Sequence, residues 1–181
     1  MITLIIGGAS SGKSEIAENY CMKSYGKKAY IATMIPFGTQ AKMRIERHVN
    51  LRKGKGFETI EKYTNLGEIA EKLSTYDTLL VECMTNLVAN EIYQTPETLR
   101  RKNEIAKSIF DDIIDIHLRC TDLIIVTCNV FSDGIEYSKE TFYYLKQLGM
   151  LNQMLAEKAD CVVDVFYGIP TVIKGELYDI A

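Results

Sequence analysis

No apolar run in this 181-residue chain approaches the roughly 18–20 positions that a membrane-crossing helix needs. The N-terminus runs straight into a strand and a loop rather than a cleavable signal, so the chain reads as a cytoplasmic protein with no membrane span. Positive charge is not in excess. A net charge of −3 argues against a protein that coats nucleic acid, while leaving room for a local basic site. The five cysteines (Cys21, Cys83, Cys120, Cys128, Cys161) contain no C-x-x-C pair and form an odd set. Most lie in or beside apolar runs, so they read as buried free thiols rather than a disulfide framework or zinc ligands. Histidine is scarce, at His48 and His117. Neither an N-K-x-D base-reading motif nor a D-x-x-G switch occurs, which removes the G-protein form of a nucleotide switch.

What is present begins at once. Ile2 to Ile6 is strand-like, and Gly7-Gly8-Ala9-Ser10-Ser11-Gly12-Lys13-Ser14 follows with the spacing G-x-x-x-x-G-K-[ST]. Gly7 and Gly12 stand where the backbone must turn and where a Cβ would clash, so that successive N–H groups can point at a phosphate chain. Lys13 is placed to reach the β and γ oxygens and Ser14 to offer its hydroxyl to Mg²⁺. The helix that starts there aims its positive dipole end at the anion. Strand, loop and helix in this order predict binding of a nucleoside triphosphate, ATP or GTP.

Hydrophobic residues at 47% and charged residues at 25% are globular values, and the length fits one domain over 1–181. Buried strands are predicted at 2–6, 28–33, 78–82, 123–127 and 161–166, with a final pair around Ile169-Pro170. Helices are predicted near 13–24, 39–53, 65–74, from 83 to about 93, near 96–119 and near 138–158. In the longest amphipathic stretch, Ile105, Ile109, Ile113 and Ile116 recur at helical spacing. Continuous apolar strands separated by helices imply an α/β three-layer sandwich with a mainly parallel sheet, of the P-loop NTPase (RecA-like) type, with the ligand at the carboxyl ends of the strands.

Two further features bear on chemistry. Glu82 ends the run Leu79-Leu80-Val81 and is the carboxylate placed to hold the Mg²⁺ shell; Asp77 comes too early. The segment 42–55 carries Lys42, Arg44, Arg47, Arg52, Lys53 and Lys55 against the single acid Glu46. On a helix, Arg44, His48 and Arg52 fall at i, i+4 and i+8 and share a face. Such a face is either solvated or built to meet phosphate, and flanking positive charge would keep His48 neutral and nucleophilic. His117, beside Asp115 and Arg119, reads as a surface or interhelical residue.

Taken together, Gly7 to Ser14, Tyr30-Ile31-Ala32-Thr33, Arg44-Ile45-x-x-His48, Glu82-Cys83-Met84-Thr85-Asn86-Leu87, Gly149-x-x-Asn152-Gln153 and Gly168-Ile169-Pro170 resemble the bifunctional adenosylcobinamide kinase / adenosylcobinamide-phosphate guanylyltransferase family of cobalamin biosynthesis. The resemblance implies a homotrimer and a guanylylated histidine, which falls on His48. It implies phosphoryl transfer from ATP or GTP to the aminopropanol hydroxyl of adenosylcobinamide, then GMP transfer from GTP to give adenosylcobinamide-GDP. The sequence departs from the family at Ser10, often an arginine; at Thr127-Cys128-Asn129-Val130, where the family reads Thr/Ser-Asn-Glu-Val; and at Tyr143 to Lys146, where it reads Arg-Phe-Arg-Asp. Two other readings stay open. One is a different small-molecule P-loop kinase in which His48 only binds substrate. The other is a degenerate nucleotide-binding paralogue acting as a regulatory switch.

Overall fold

The computed structural model describes residues 1–93, 104–130 and 137–176. Its seven strands are β1 (Ile2–Gly7), β2 (Lys28–Ala32), β3 (Phe57–Glu61), β4 (Thr78–Glu82), β5 (Asp122–Cys128), β6 (Cys161–Phe166) and β7 (Ile169–Lys174). They form one sheet in the order β3-β2-β4-β5-β1-β6-β7. Every pairing is parallel except β6 with β7. The helices are α1 (Lys13–Met22), α2 (Gly38–Leu51), α3 (Ala70–Leu73), α4 (Met84–Tyr93), α5 (Ile105–His117) and α6 (Lys139–Lys158).

The central strands read as unbroken apolar runs because both sheet faces are covered. Ile5, Leu80, Ile124, Val126 and Val163 turn to one face and pack with Ala17, Tyr20 and Cys21 of α1. Leu4, Val81, Leu123 and Ile125 turn to the other, against Leu87 of α4, Ile109 and Ile113 of α5, and Leu148 and Leu151 of α6. This alternation gives the three layers and the parallel sheet that the sequence predicts. The spaced isoleucines of α5 (Ile105, Ile109, Ile113, Ile116) are all buried. The part of the predicted 96–119 helix before residue 104 lies outside the described residues.

Two differences from expectation have local causes. β3 escapes the sequence pattern because it is an edge strand in which Ile60 alone is buried, so no apolar run marks it. The helix expected near 65–74 is instead a 3₁₀ turn, Leu66–Ile69, followed by the short α3, entered from Asn65 in a left-handed conformation. The last helix starts where Ser138 caps it, its Oγ accepting from the Thr141 N–H at 3.2 Å. α2 buries none of its residues in the core. It is left available to line the cleft at the carboxyl ends of β1, β2 and β4.

Candidate active site

The loop between β1 and α1 is held in shape by neighbours on β6 and in the β6–β7 turn. A Cβ on Gly7 would come within 2.6 Å of both Ser11 Oγ and the Val165 carbonyl oxygen, so a side chain there collides with backbone. Gly12 adopts φ of 95°, the left-handed region that favours glycine, and lies against Gly168. Gly168 donates its N–H to the Ser11 carbonyl at 2.8 Å, which gives the late Gly168-Ile169-Pro170 motif a structural reason: the β6–β7 turn braces the loop. Gly8 has open space around its missing Cβ. Lys13 Nζ donates to the Gly8 carbonyl at 2.7 Å, so the ammonium curls over the loop's own concavity.

Ala9, Ser10, Ser11, Gly12, Lys13 and Ser14 line a cleft of about 990 Å³, and so do Arg44, His48, Arg52 and Glu82. Of the predicted nucleotide-binding residues, Gly7 and Gly8 do not line it. Glu82 ends β4 buried at the centre of the cleft, accepting a short hydrogen bond from the Ser14 hydroxyl and another from Tyr30 Oη at 3.2 Å. His48 Nδ1 lies 3.7 Å from Glu82 Oε1, is shielded from solvent and has no hydrogen-bond partner.

Two carboxylates stand among the near neighbours of the imidazole, which charge counting along α2 does not anticipate. Glu18, Glu82 and His48 each bring a polar atom to within 4.8 Å of the others. Glu18, fully buried on α1, forms an ion pair with Lys55 Nζ at 2.7 Å through Oε2 and leaves Oε1 unpartnered. Burial raises the Glu18 carboxyl above its ordinary pKa, and the Lys55 ammonium opposes that shift. Glu18 carried no sequence signal beyond a helix-compatible acid four residues after Ser14, and only the fold brings it to the cleft.

Arg44 and Arg52 part company. Arg44 is exposed at the rim, whereas Arg52, just past the end of α2, is buried with its guanidinium 4.0 Å from the Tyr30 ring centroid and its Nε donating to Thr59 Oγ1 at 3.1 Å. The helical face predicted for both holds for Arg44 and His48; Arg52 is drawn down onto β2 and β3. Tyr30 was quoted in the sequence only as part of a strand, yet it supports both Arg52 and Glu82, and burial pushes its phenol pKa up. His117 is remote from this chemistry. It ends α5 in the electrostatic field of the N-terminal amine, Asp160 and Asp122, groups at the start of β1, before β6 and at the start of β5, and its pKa is lowered chiefly by burial. Asn129 gives its N–H to the Gly7 carbonyl at 3.1 Å, and Asn152 accepts from Thr127 Oγ1 at 2.8 Å, fixing α6 to β5. Tyr143 and Tyr144 pack against the core.

A glycine-rich loop at the end of the first strand, a lysine over it, and a hydroxyl–carboxylate pair at the next cleft-lining strand define an α/β enzyme of the P-loop NTPase class. The sequence matches the family described as cobinamide kinase / cobinamide phosphate guanyltransferase over residues 3–173, and the chain belongs to that family, as a nucleotide-dependent transferase. It is 28% identical to the bifunctional adenosylcobalamin biosynthesis protein CobU of Escherichia coli, over 96% of this chain and 100% of that protein. It is 28% identical to the protein of that description called CobP in Pseudomonas aeruginosa, over 97% and 99%. To CobU of Salmonella typhimurium it is 29% identical, over 96% and 100%.

Proposed function

We propose that this chain phosphorylates the aminopropanol hydroxyl of adenosylcobinamide with ATP or GTP, and that it then transfers GMP from GTP through a guanylyl-His48 intermediate to give adenosylcobinamide-GDP. The observation that carries the reading is the position of His48 inside the cleft of the phosphate loop, 3.7 Å from the carboxylate that Ser14 also contacts. Family membership and the names of the relatives support the substrates.

In the kinase half, loop N–H groups and Lys13 hold the triphosphate and offset charge on the transferring γ-phosphoryl group. The Ser14 hydroxyl and the Glu82 carboxylate are hard oxygen donors already in contact, a donor set that suits Mg²⁺. Held by Ser14 and Glu82, Mg²⁺ would supply positive charge that offsets the negative charge of the triphosphate. Arg44 at the rim steadies the triphosphate, and Arg52 gives the cleft a second, fixed positive charge.

In the transfer half, Nδ1 of His48 faces Glu82, which leaves Nε2 to attack the α-phosphorus. As the N–P bond forms, the bond to pyrophosphate breaks and pyrophosphate leaves with its electron pair. The ring keeps its Nδ1 proton and gains a positive charge, which the Glu82 carboxylate offsets. The phosphate oxygen of phosphorylated cobinamide then attacks the same phosphorus, and the N–P electron pair returns to Nε2. One hard transfer becomes two displacements. The chain acts as a single nucleotide-binding domain over 1–181, in the cytoplasm, as a homotrimer. Incubation with GTP labelled at the α-phosphate tests the reading: a protein adduct that survives denaturation is expected. Phosphorylated cobinamide without any adduct would leave a plain kinase.

A further inference from the structure

Glu18 Oε1 and His48 Nδ1 are both shielded from solvent, and neither has a hydrogen-bond partner. Leaving two such atoms unpaired is costly, and they belong to residues that stand together. Glu18 of α1, His48 of α2 and Glu82 of β4 each offer one donor atom, all within 4.8 Å of one another. The two carboxylates are held alike. Glu18 accepts from Lys55 Nζ through Oε2 at 2.7 Å, and Glu82 accepts from Tyr30 Oη through Oε2 at 3.2 Å. Each has its second oxygen left over: in Glu18 it is unpartnered, and in Glu82 it serves the Ser14 hydroxyl and faces the His48 ring. We propose that Glu18, His48 and Glu82 form a binding site for a transition-metal dication of the Zn²⁺ type, which when filled withholds His48 from nucleotidyl transfer.

The donor set selects the metal. One imidazole nitrogen with two carboxylate oxygens suits Zn²⁺, whereas Mg²⁺ takes oxygen donors and keeps several waters. Three protein donors leave a further position for water or a phosphate oxygen, and the cleft lined by His48 and Glu82 gives the ion its way in. The spacing is within reach: an ion about 2.1 Å from each donor spans the 3.7 Å between His48 Nδ1 and Glu82 Oε1. Ligating carboxylates are ordinarily steadied by hydrogen bonds of their own, and Lys55 and Tyr30 supply those here. Glu18 and Glu82 are buried, so they do not turn out into water as a surface cluster of acids does. Among the described residues, no other three His, Cys, Asp or Glu side chains come together in this way.

The consequence for transfer rests on the reading of His48 as the nucleophile; the binding itself does not. A neutral imidazole has one N–H and one nitrogen lone pair in the ring plane. Attack on the α-phosphorus from Nε2 needs the proton on Nδ1. A metal on Nδ1 takes that nitrogen's lone pair and leaves the proton on Nε2, so the attacking nitrogen has no pair to give. Filling the site also draws on Glu82, and so takes an oxygen donor from the Ser14–Glu82 pair that suits Mg²⁺. The three donors sit on separate elements and α2 buries none of its residues in the core, so a bound ion ties α2 to α1 and β4.

The full chain, stripped of metal with EDTA and dialysed, tests the site directly. It should retain one equivalent of Zn²⁺ in equilibrium dialysis against millimolar Mg²⁺. Zn²⁺ at a hundredfold excess over Kd should raise Tm by about 5 °C or more. Co²⁺ should give the visible d–d absorption of a four- or five-coordinate site of nitrogen and oxygen donors, lost on adding Zn²⁺. His48→Ala and Glu18→Gln should each weaken Zn²⁺ binding by about a hundredfold. Both should fold, because α2 lies outside the core and glutamine keeps the shape of Glu18. Zn²⁺ at tenfold excess over Kd should cut α-phosphate labelling of wild type by about tenfold and leave that of Glu18→Gln nearly unchanged. A wild type that takes no label would refute the reading of His48 and not the metal site, which dialysis, Tm and the Co²⁺ spectrum decide alone. No retention of Zn²⁺ over Mg²⁺, sulfur-to-metal charge transfer in the Co²⁺ spectrum, undiminished binding by the two variants, or Zn²⁺ that binds without suppressing wild-type label would overturn the proposal.

Discussion

His48 Nδ1 stands 3.7 Å from Glu82 Oε1, the same oxygen that accepts the Ser14 hydroxyl hydrogen bond. One carboxylate therefore serves two neighbours: the hydroxyl that opens α1 and the imidazole carried on α2. In the proposed chemistry the phosphoryl-transfer half and the nucleotidyl-transfer half meet at Glu82. Glu82→Gln keeps the shape and removes the charge. It should slow Mg²⁺-dependent phosphorylation and His48 labelling alike, each by about a hundredfold, while nucleotide binding without metal changes little. The check is rate against Mg²⁺ concentration for both half-reactions. Unchanged Mg²⁺ dependence would make Glu82 a structural strand-end residue.

The two adjacent loop glycines should respond differently to a methyl group. Gly7→Ala places a Cβ 2.6 Å from the Val165 carbonyl oxygen, a backbone atom that cannot swing aside. It should cost about 2 kcal/mol, roughly 4–8 °C in Tm, together with most nucleotide affinity. Gly8→Ala meets nothing within 4 Å and should leave Tm within about 1 °C of wild type. Thermal melts of the two variants side by side decide it.

The arginines should separate in the same way. Arg52 is buried over Tyr30 and bonded to Thr59, so Arg52→Ala should lower stability by about 2 kcal/mol as well as slow turnover. Arg44 is exposed at the rim, so Arg44→Ala should raise KM for GTP with stability unchanged to within about 0.5 kcal/mol. Denaturant melts and steady-state kinetics on the same preparations distinguish the two.

Much of this site was legible in the sequence because its parts are local. A strand, a loop of fixed spacing and a helix lie within the first 22 residues, and Glu82 is announced by the apolar run that it ends. The isoleucines of α5 gave away their buried face through their period. What was not legible depends on tertiary approach. β3 has a single buried residue, so its edge position erases the apolar signal. Arg52 sits one residue past α2, and an aromatic ring on β2, separated from β1 by β5 and β4, captures it off the predicted face. The acids around His48 come from α1 and β4, and the loop after α2 supplies Lys55; no spacing rule links these segments. Charge counting within α2 therefore predicted a cationic setting for an imidazole that the fold places against carboxylates.

Glu18 gives a pH dependence of known sign. Burial raises its folded-state pKa above the unfolded value, so its contribution to stability is fully present below the unfolded pKa and is lost as pH rises through the folded one. Wild type should therefore lose stability relative to Glu18→Gln as pH climbs from about 4 towards neutrality. The Tm difference, variant minus wild type, should grow more positive over that range. A flat difference would mean that Lys55 compensates the burial of Glu18 completely.

The central claim is that His48 carries GMP. Wild-type protein with Mg²⁺, pyrophosphatase and GTP labelled at the α-phosphate should give a labelled band after denaturing electrophoresis. The label should be lost in acid and kept in alkali, as for a phosphoramidate on imidazole. Label at the γ-phosphate should not transfer to the protein. Lys13→Ala and His48→Asn should both abolish the band, and His48→Asn should still phosphorylate the cobinamide hydroxyl. A band that persists in folded His48→Asn, or no band in folded wild type, would contradict the account.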